Sequence, residues 1–472
     1  MARPRRFGKS LFLSTLKAVF SGRKDLFEGL WLEKTHDFTV HPIIRLDFSL
    51  INFTSKSLDE GIVDWLGITA VEYNYKIIST NARDAFRELI LELSKQRKVV
   101  VLIDEYDKPL TDYLLEPEKR LTHQQTLKSV YGALKPLDAH LHLVVLTGVS
   151  KFGKLSLFSD LNNLQDISLN TNYATMLGYT REEIETHFAS FIPPILENLN
   201  ATYEDFWQAT KRWYNGYSWD GKNRLYCPFS FLLFLENKEF KSYWYETGTP
   251  TFLVELLRDQ QVNPLEFETK LVDETPLVSA DIDNLDPIGL MFQTGYLTIQ
   301  NKKSSLYGTE YELSYPNHEV RLAFSRGLLA TYSKSVSSTI SGFAVELRNA
   351  LIQLNWETFF ARVNGVLASV PYEIFPRKEI YANSLLHLIL RSTGFDTQSQ
   401  VQTSLGRMDT LLETNTHYII FELKTTGTPE KAVGQISSSQ YASGLRGKPV
   451  LGVGVVFDLE TKCIINWETM QF

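Results

Sequence analysis

The sequence predicts an α/β protein in three parts: a parallel sheet covered by helices, a helical middle with a winged-helix-like element, and a C-terminal α/β domain centred on a hairpin. Three observations carry this. Helix-like and strand-like segments alternate at the start, the pattern by which helices cover a parallel sheet. From Leu177 to Leu329 the alternation gives way to capped helices and an aromatic, turn-rich loop. Strands return near the C-terminus, after a polar, serine-rich stretch at Ser333–Ser341, read as a hinge or loop, and a helical region from Gly342 to Leu367. These shifts divide the chain into domains at 1–175, 176–332 and 342–472.

In the first part, Leu11–Phe20 is apolar at helical spacing, and Ile43–Phe48 is a short strand. Asp84–Gln96 places Phe86, Leu89, Ile90 and Leu93 on one helical face. Lys98–Ile103 is a run of β-branched and apolar residues, suited to a strand buried on both faces, and Leu141–Leu146 is another strand. In the middle, Thr180-Arg181-Glu182-Glu183 is a capping box, and Asn215–Gly221 is the aromatic turn. Ile288–Phe292 reads as a helix, followed by a hairpin through Gly295–Ile299 and Tyr311–Leu313. In the last part a helix at Ile380–Leu390 precedes strands at Leu405–Leu412 and His417–Leu423, a helix at Val433–Tyr441 and a strand at Val450–Phe457.

Composition narrows the function classes. With 472 residues, 43% hydrophobic and 22% charged, the chain reads as soluble and globular. No apolar run approaches the roughly 20 residues needed to span a bilayer, so no membrane partner is expected. A net charge of −7 argues against a diffuse basic coat for nucleic acid and leaves room for a local groove. The two cysteines, Cys227 and Cys463, supply neither a disulfide framework nor a paired-cysteine metal site, which points to a reducing compartment, the cytoplasm.

Two constellations carry chemistry. Gly8-Lys9-Ser10 leads directly into an apolar helix. A helix N-terminus offers free N–H groups and the positive end of the helix dipole to an anion. Lys9 would reach the outer phosphates of a nucleotide and the Ser10 hydroxyl would hold Mg²⁺. The full pattern has glycine where Arg3 stands. Further on, Val99–Ile103 ends in Asp104-Glu105, the Walker B arrangement, in which Asp104 belongs to the Mg²⁺ shell and Glu105 orients and deprotonates the attacking water. Leu141–Leu146 ends in Thr147-Gly148-Val149-Ser150, where Thr147 is a candidate polar sensor of the nucleotide.

The second constellation is C-terminal. Glu422 and Lys424 share one face of a strand, and a hairpin turning at Asn415-Thr416 puts Asp409 opposite Glu422. Two converging carboxylates beside an ammonium can bind Mg²⁺ and position water against a phosphodiester. Glu379 opens the preceding helix, and Gln435, Gln440 and Tyr441 lie on the following one.

Arg3–Leu11, Leu102–Leu110 and Thr147–Lys151 together resemble the AAA-ATPase-like family, whose fold is a P-loop ATPase parallel sheet. Trp213–Tyr217, Tyr226–Ser230 and Thr247–Pro250 resemble its middle region, and the C-terminal part resembles the PD-(D/E)XK nuclease domain that follows it. The resemblance implies ATP and Mg²⁺ at Gly8, Lys9, Ser10, Asp104, Glu105 and Thr147. It implies metal ligands at Asp409 and Glu422, a catalytic Lys424, the helix carboxylate at Glu379 and the later helix position at Gln440. Asp107 matches the family's acidic stretch without an assigned role. Nucleic acid, DNA foremost, is the implied partner, and self-assembly into a homo-oligomer is left open. Members of the family carry a strand ahead of the loop, so the expectation is that this chain lacks that strand. Three functions compete: ATP-dependent, Mg²⁺-dependent cleavage of nucleic acid; a regulatory ATPase switch whose nuclease-like domain binds without cleaving; and an inactive, truncated member.

Overall fold

The structure is a computed structural model that describes residues 1–151, 163–244, 253, 256–257, 267–278, 286–333, 337–370, 378–403 and 406–472. The stretch Thr247–Pro250 lies outside the described residues. The chain divides into two compact units, Met1–Phe240 with Leu271–Pro316 and Lys241–Lys270 with Asn317–Phe472.

The first unit is built on a parallel sheet in the order β1 (Ile43–Asp47), β2 (Val99–Asp104), β3 (Leu141–Leu146). Every residue of β2 is buried, as its unbroken apolar run demands of a central strand. Helix α1 (Lys9–Phe20) lays Leu13 and Phe20 against Ile43, Val100 and Leu102. Helix α2 (Leu58–Glu72) starts on a capping box between Ser57 and Glu60, and α3 (Ala82–Ser94) starts on an Asn81 cap.

β1 is an edge strand, and its outward peptide groups are covered by side chains rather than left to recruit another strand. The Tyr73 hydroxyl accepts from Ile43 N at 2.7 Å and donates to Ile43 O at 3.2 Å. Trp65 Nε1 donates to Arg45 O at 2.7 Å. Beyond β3, Ala2 pairs in parallel with Gly148, and the Met1 amino group donates to Leu146 O at 2.8 Å.

The rest of this unit is helical, with one small sheet. Helix α4 (Arg181–His187) begins on the Thr180–Glu183 capping box expected from the sequence, and α5 (Tyr203–Tyr214) follows. Helix α6 (Pro287–Thr294) is stopped by Gly295 at φ 94°, a conformation that glycine adopts freely. It leads into a hairpin of β5 (Thr298–Ser305) and β6 (Gly308–Ser314), with β4 (Lys270–Val272) on the far side of β6. This is the helix-and-hairpin arrangement read as winged-helix-like. Among the described residues no helix is long and apolar enough to cross a membrane.

The second unit carries a mixed five-stranded sheet in the order β11-β10-β9-β8-β7. Its strands are β7 (Asp396–Thr403), β8 (Gly406–Glu413), β9 (Tyr418–Lys424), β10 (Val450–Asp458) and β11 (Cys463–Gln471). Only β9 and β10 run parallel; the other neighbours are antiparallel. Helices α7 (His318–Tyr332), α8 (Ser337–Ile352), α9 (Trp356–Ser369) and α10 (Glu379–Ser392) precede the sheet, and α11 (Pro429–Ser438) makes the crossover from β9 to β10.

Three differences from the sequence reading have physical reasons. The stretch Ser333–Ser341 is not wholly hinge or loop, because α8 begins at Ser337. The polar strand β7, Asp-Thr-Gln-Ser-Gln-Val-Gln-Thr, and β11 were not anticipated; both are edge strands and need no continuous apolar face. Helix α11 starts earlier and stops earlier than Val433–Tyr441. Pro429 opens it, the serine run at Ser437–Ser439 ends it, and Gln440 is turned into the left-handed region at φ 51°.

Helix α11 seats closely on β10 because that strand has no side chain beneath it. A Cβ on Gly454 would lie 2.3 Å from Pro429 O and 2.8 Å from the Val433 side chain. Gly454→Ala is therefore expected to destabilise the second unit by about 1–3 kcal/mol through overpacking. Urea unfolding followed by circular dichroism tests this, and an unchanged midpoint would contradict the close seating.

Candidate functional site

In the first unit the site begins at Gly8, the N-cap of α1, held at φ 84°. No side chain caps this helix, so its first N–H groups are not claimed by one. The Lys9 side chain is buried and curls back to donate to Arg3 O at 3.0 Å and Pro4 O at 2.9 Å. Burial draws its pKa down to about 8, against the opposing pull of Asp107, Glu105 and Asp104. Ser10 is exposed at the mouth of the loop.

Arg3 occupies the place where the full loop pattern has glycine, and its role is visible. Its guanidinium is 1% exposed and donates to Ser168 O at 2.7 Å, Tyr173 O at 2.9 Å and Ala2 O at 3.0 Å. It stacks 4.1 Å from the Trp219 ring, and burial lowers its pKa to about 10. Phe7 meets Tyr217 and Trp219 edge-on, with ring centroids 4.8 and 5.3 Å away. The aromatic turn at Asn215–Gly221 thus braces the Arg3–Ser10 segment from outside, each such ring pair contributing about 0.5–1.5 kcal/mol beyond burial.

Asp104 ends the buried strand β2 and is itself 1% exposed. Its Oδ1 accepts from Thr147 Oγ1 at 2.7 Å and Glu105 N at 3.1 Å. Its Oδ2 is buried without a hydrogen bond. Thr147 thus binds Asp104 directly. Glu105 takes the left-handed backbone at φ 51°, costly for a side chain of this kind, and burial raises its pKa although Lys108 and Lys9 pull it down.

Asp107, to which the sequence assigned no role, has one here. It accepts from Ser150 N and Oγ at 2.6 Å each and from Val149 N at 3.2 Å, pinning the loop after β3 beside Asp104. Gly148 is needed at that place, since a Cβ would lie 2.5 Å from Asp107 Oδ1.

In the second unit the register Thr410↔Phe421 to Glu413↔Tyr418 places the hairpin turn where expected, held by Thr414 Oγ1 accepting from His417 N at 2.9 Å. The pairing ends at Thr410↔Phe421, and Asp409 and Glu422 are the next residues beyond it, close enough for the charge of Asp409 to act on Glu422. Asp409 Oδ2 accepts from Leu423 N at 2.9 Å, and Lys424 Nζ donates to Glu422 Oε1 at 2.9 Å. Glu379 joins from α10 through Thr425, whose Oγ1 donates to Glu379 Oε2 at 2.8 Å. Glu422 is 1% exposed, and its Oε2 is buried without a hydrogen bond. Burial first, then the charge of Asp409, raises its pKa to about 7. Burial draws the Lys424 pKa down, but the hydrogen bond and charge of Glu422 outweigh it and the net shift is upward.

Gln440 does not occupy the expected helix position: it is exposed and lies beyond the end of α11, while Gln435 is the glutamine on the helix. Thr425, and the role of Asp107, escaped sequence reading because threonine and aspartate beside a strand end are common in plain loops.

Both units present a buried carboxylate oxygen without a donor, Asp104 Oδ2 and Glu422 Oε2, and each fits a cation. Among the described residues no group of three His, Cys, Asp or Glu side chains is gathered to enclose a metal. A hard divalent cation at either place would complete its shell with water or substrate oxygens.

Comparison with known proteins agrees with this division. A family model for predicted AAA-ATPases matches residues 1–158, and one for the PD-(D/E)XK nuclease superfamily matches residues 377–467. The chain is 33% identical over 480 residues to a protein of Azotobacter chroococcum mcd 1 named "Uncharacterized protein in vnfD 5'region", covering 99% of this chain and 91% of that one. No solved structure matches. The chain belongs to the family of predicted AAA-ATPases and ends in a domain of the PD-(D/E)XK nuclease superfamily.

Proposed function

We propose that this protein binds ATP with Mg²⁺ in its first unit and cleaves phosphodiester bonds of nucleic acid, DNA foremost, in its second. The observation that carries the reading is the proximity of Asp409 and Glu422 beside Lys424, with one Glu422 oxygen buried and without a hydrogen bond. The boundaries 1–175, 176–332 and 342–472 remain our functional partition.

At the C-terminal site, Asp409 and Glu422 would hold a divalent cation, which when bound supplies Lewis-acid activation of water and neutralises charge on the phosphate. Lys424 stays protonated beside Glu422 and orients the attacking water or stabilises the developing oxyanion. Glu379, tied in through Thr425, adds negative charge next to Lys424 and keeps the ammonium in the site. Gln440 is not carried into this reading.

At the N-terminal site, the backbone of Gly8, Lys9 and Ser10 would receive the phosphates. Lys9 would exchange its bonds to Arg3 O and Pro4 O for the outer phosphates, while Ser10 and Asp104 hold the Mg²⁺ shell. Glu105, its pKa raised, acts as the base toward water. Thr147 contributes by fixing Asp104.

Incubation with labelled DNA and RNA in Mg²⁺ is expected to give cleavage that EDTA stops, and Lys424→Ala is expected to lower the rate by about 10²–10³-fold. Equal rates for wild type and variant would sink the role of Lys424. Lys9→Ala is expected to abolish ATP binding measured by calorimetry; retained affinity would remove the nucleotide reading of this loop.

The Glu422 pKa gives a test of sign. Raised from 4.5 to about 7, it contributes stability that is present below its unfolded value and lost as pH rises through about 7. In EDTA, the thermal stability of the second unit should therefore fall as pH rises between about 4.5 and about 7, and Glu422→Gln should remove that part of the slope. Cleavage in Mg²⁺ should rise over the same interval. A wild-type slope identical to that of Glu422→Gln would contradict the assignment.

A further inference from the structure

Beside the nucleotide site stands a pair of charges that the proposed chemistry does not use. Arg45 lies on β1, next to the strand that ends in Asp104. Its Nη2 donates to Asp47 Oδ2 at 3.1 Å and stands 3.9 Å from Asp104 Oδ2. Asp47 pairs in register with Asp104 and is steadied at Oδ1 by the Ser49 hydroxyl at 2.5 Å and the Ser49 N–H at 3.1 Å.

The two carboxylates are not treated alike. Asp47 is fully engaged, whereas Asp104 Oδ2 has no donor and Arg45 Nε, also buried, has no acceptor. A buried anion and a partly exposed cation thus face each other slightly beyond hydrogen-bond reach, with Asp104 Oδ2 and Arg45 Nε each lacking a hydrogen-bond partner. Such a pair balances charge without locking geometry. Arg45 also lines a cleft of about 570 Å³ along the outer edge of β1, together with Lys17, Asp47, Trp65, Tyr73 and Arg97. That cleft is large enough to receive the guanidinium if it leaves Asp104, and Asp47 supplies a tether at its mouth.

We propose that Arg45 is a built-in counter-ion for Asp104 that a divalent cation displaces, so that loading the site with metal releases the Arg45 side chain into the β1-edge cleft. The inference rests on the reading of Asp104 as a metal-binding carboxylate. A cation on Asp104 Oδ2 would stand close to the Arg45 guanidinium, 3.9 Å from that oxygen, and their mutual repulsion would favour moving the arginine away. Arg45 is accordingly a positioning residue: it offsets part of the Asp104 charge when no cation is bound and sets the concentration of cation required to fill the site.

The test uses the full chain and follows thermal unfolding during a Mg²⁺ titration, with and without ADP, for wild type, Arg45→Gln, Arg45→Lys and Asp104→Asn. Arg45→Gln is expected to melt lower than wild type in EDTA and to reach half-maximal stabilisation at several-fold less Mg²⁺. Arg45→Lys, which keeps the charge, is expected to behave like wild type and guards against a variant that merely misfolds. Asp104→Asn is expected to remove the Mg²⁺ response. A requirement for equal or more Mg²⁺ in Arg45→Gln overturns the proposal, as does a wild-type response that persists in Asp104→Asn or is missing in both arms. ADP in EDTA reports separately on nucleotide binding. If ADP has no effect there, the ATP reading fails while the titration without nucleotide still decides the role of Arg45.

Discussion

A carboxylate buried near the C-terminal end of an interior strand is the constraint on which both units depend. Asp104 ends β2, where every residue is buried, and Glu422 sits two residues from the end of β9, whose five central residues are buried. Neither place tolerates an uncompensated charge. In the first unit the compensation comes from Thr147, the Glu105 amide and the nearby Arg45. In the second it comes from Lys424 and from a pKa raised by burial and by Asp409. In both, one carboxylate oxygen is left over. The fold creates an electrostatic deficit at the C-terminal end of a buried strand, where parallel sheets offer a ligand access.

The surroundings are organised to hold that deficit in place. Around Asp104, Asp107 ties down the loop after β3, and Gly148 leaves it the room to do so. The Arg3–Ser10 segment is braced by Arg3, whose guanidinium donates to the backbone carbonyls of Ala2, Ser168 and Tyr173 and stacks on Trp219. Arginine can substitute for a flexible residue at that position because the job there is anchoring rather than close approach to a ligand. Around Glu422, the close fit of α11 against Gly454 supports the neighbouring strand, and Thr425 draws in Glu379.

The sequence alone determined the local features. An unbroken apolar run ending in acidic residues specified β2 and the position of Asp104 at its end. Two strand-like runs on either side of the Asn415-Thr416 turn specified the β8–β9 hairpin and brought Asp409 near Glu422. The Gly8-Lys9-Ser10 entry to α1 was legible for the same reason: helix starts are governed by a few adjacent residues. Only the tertiary structure decided the long-range partners. Arg45, Asp47 and Asp104 come together through strand pairing across a wide gap in sequence, as do Thr147 with Asp104 and Thr425 with Glu379. The edge strands β7 and β11 were hidden because an edge needs fewer apolar residues than a centre, and Gln440 was misplaced because a serine run ended its helix early. Local pattern names the groups that can react; which of them meet is set by how distant segments pack.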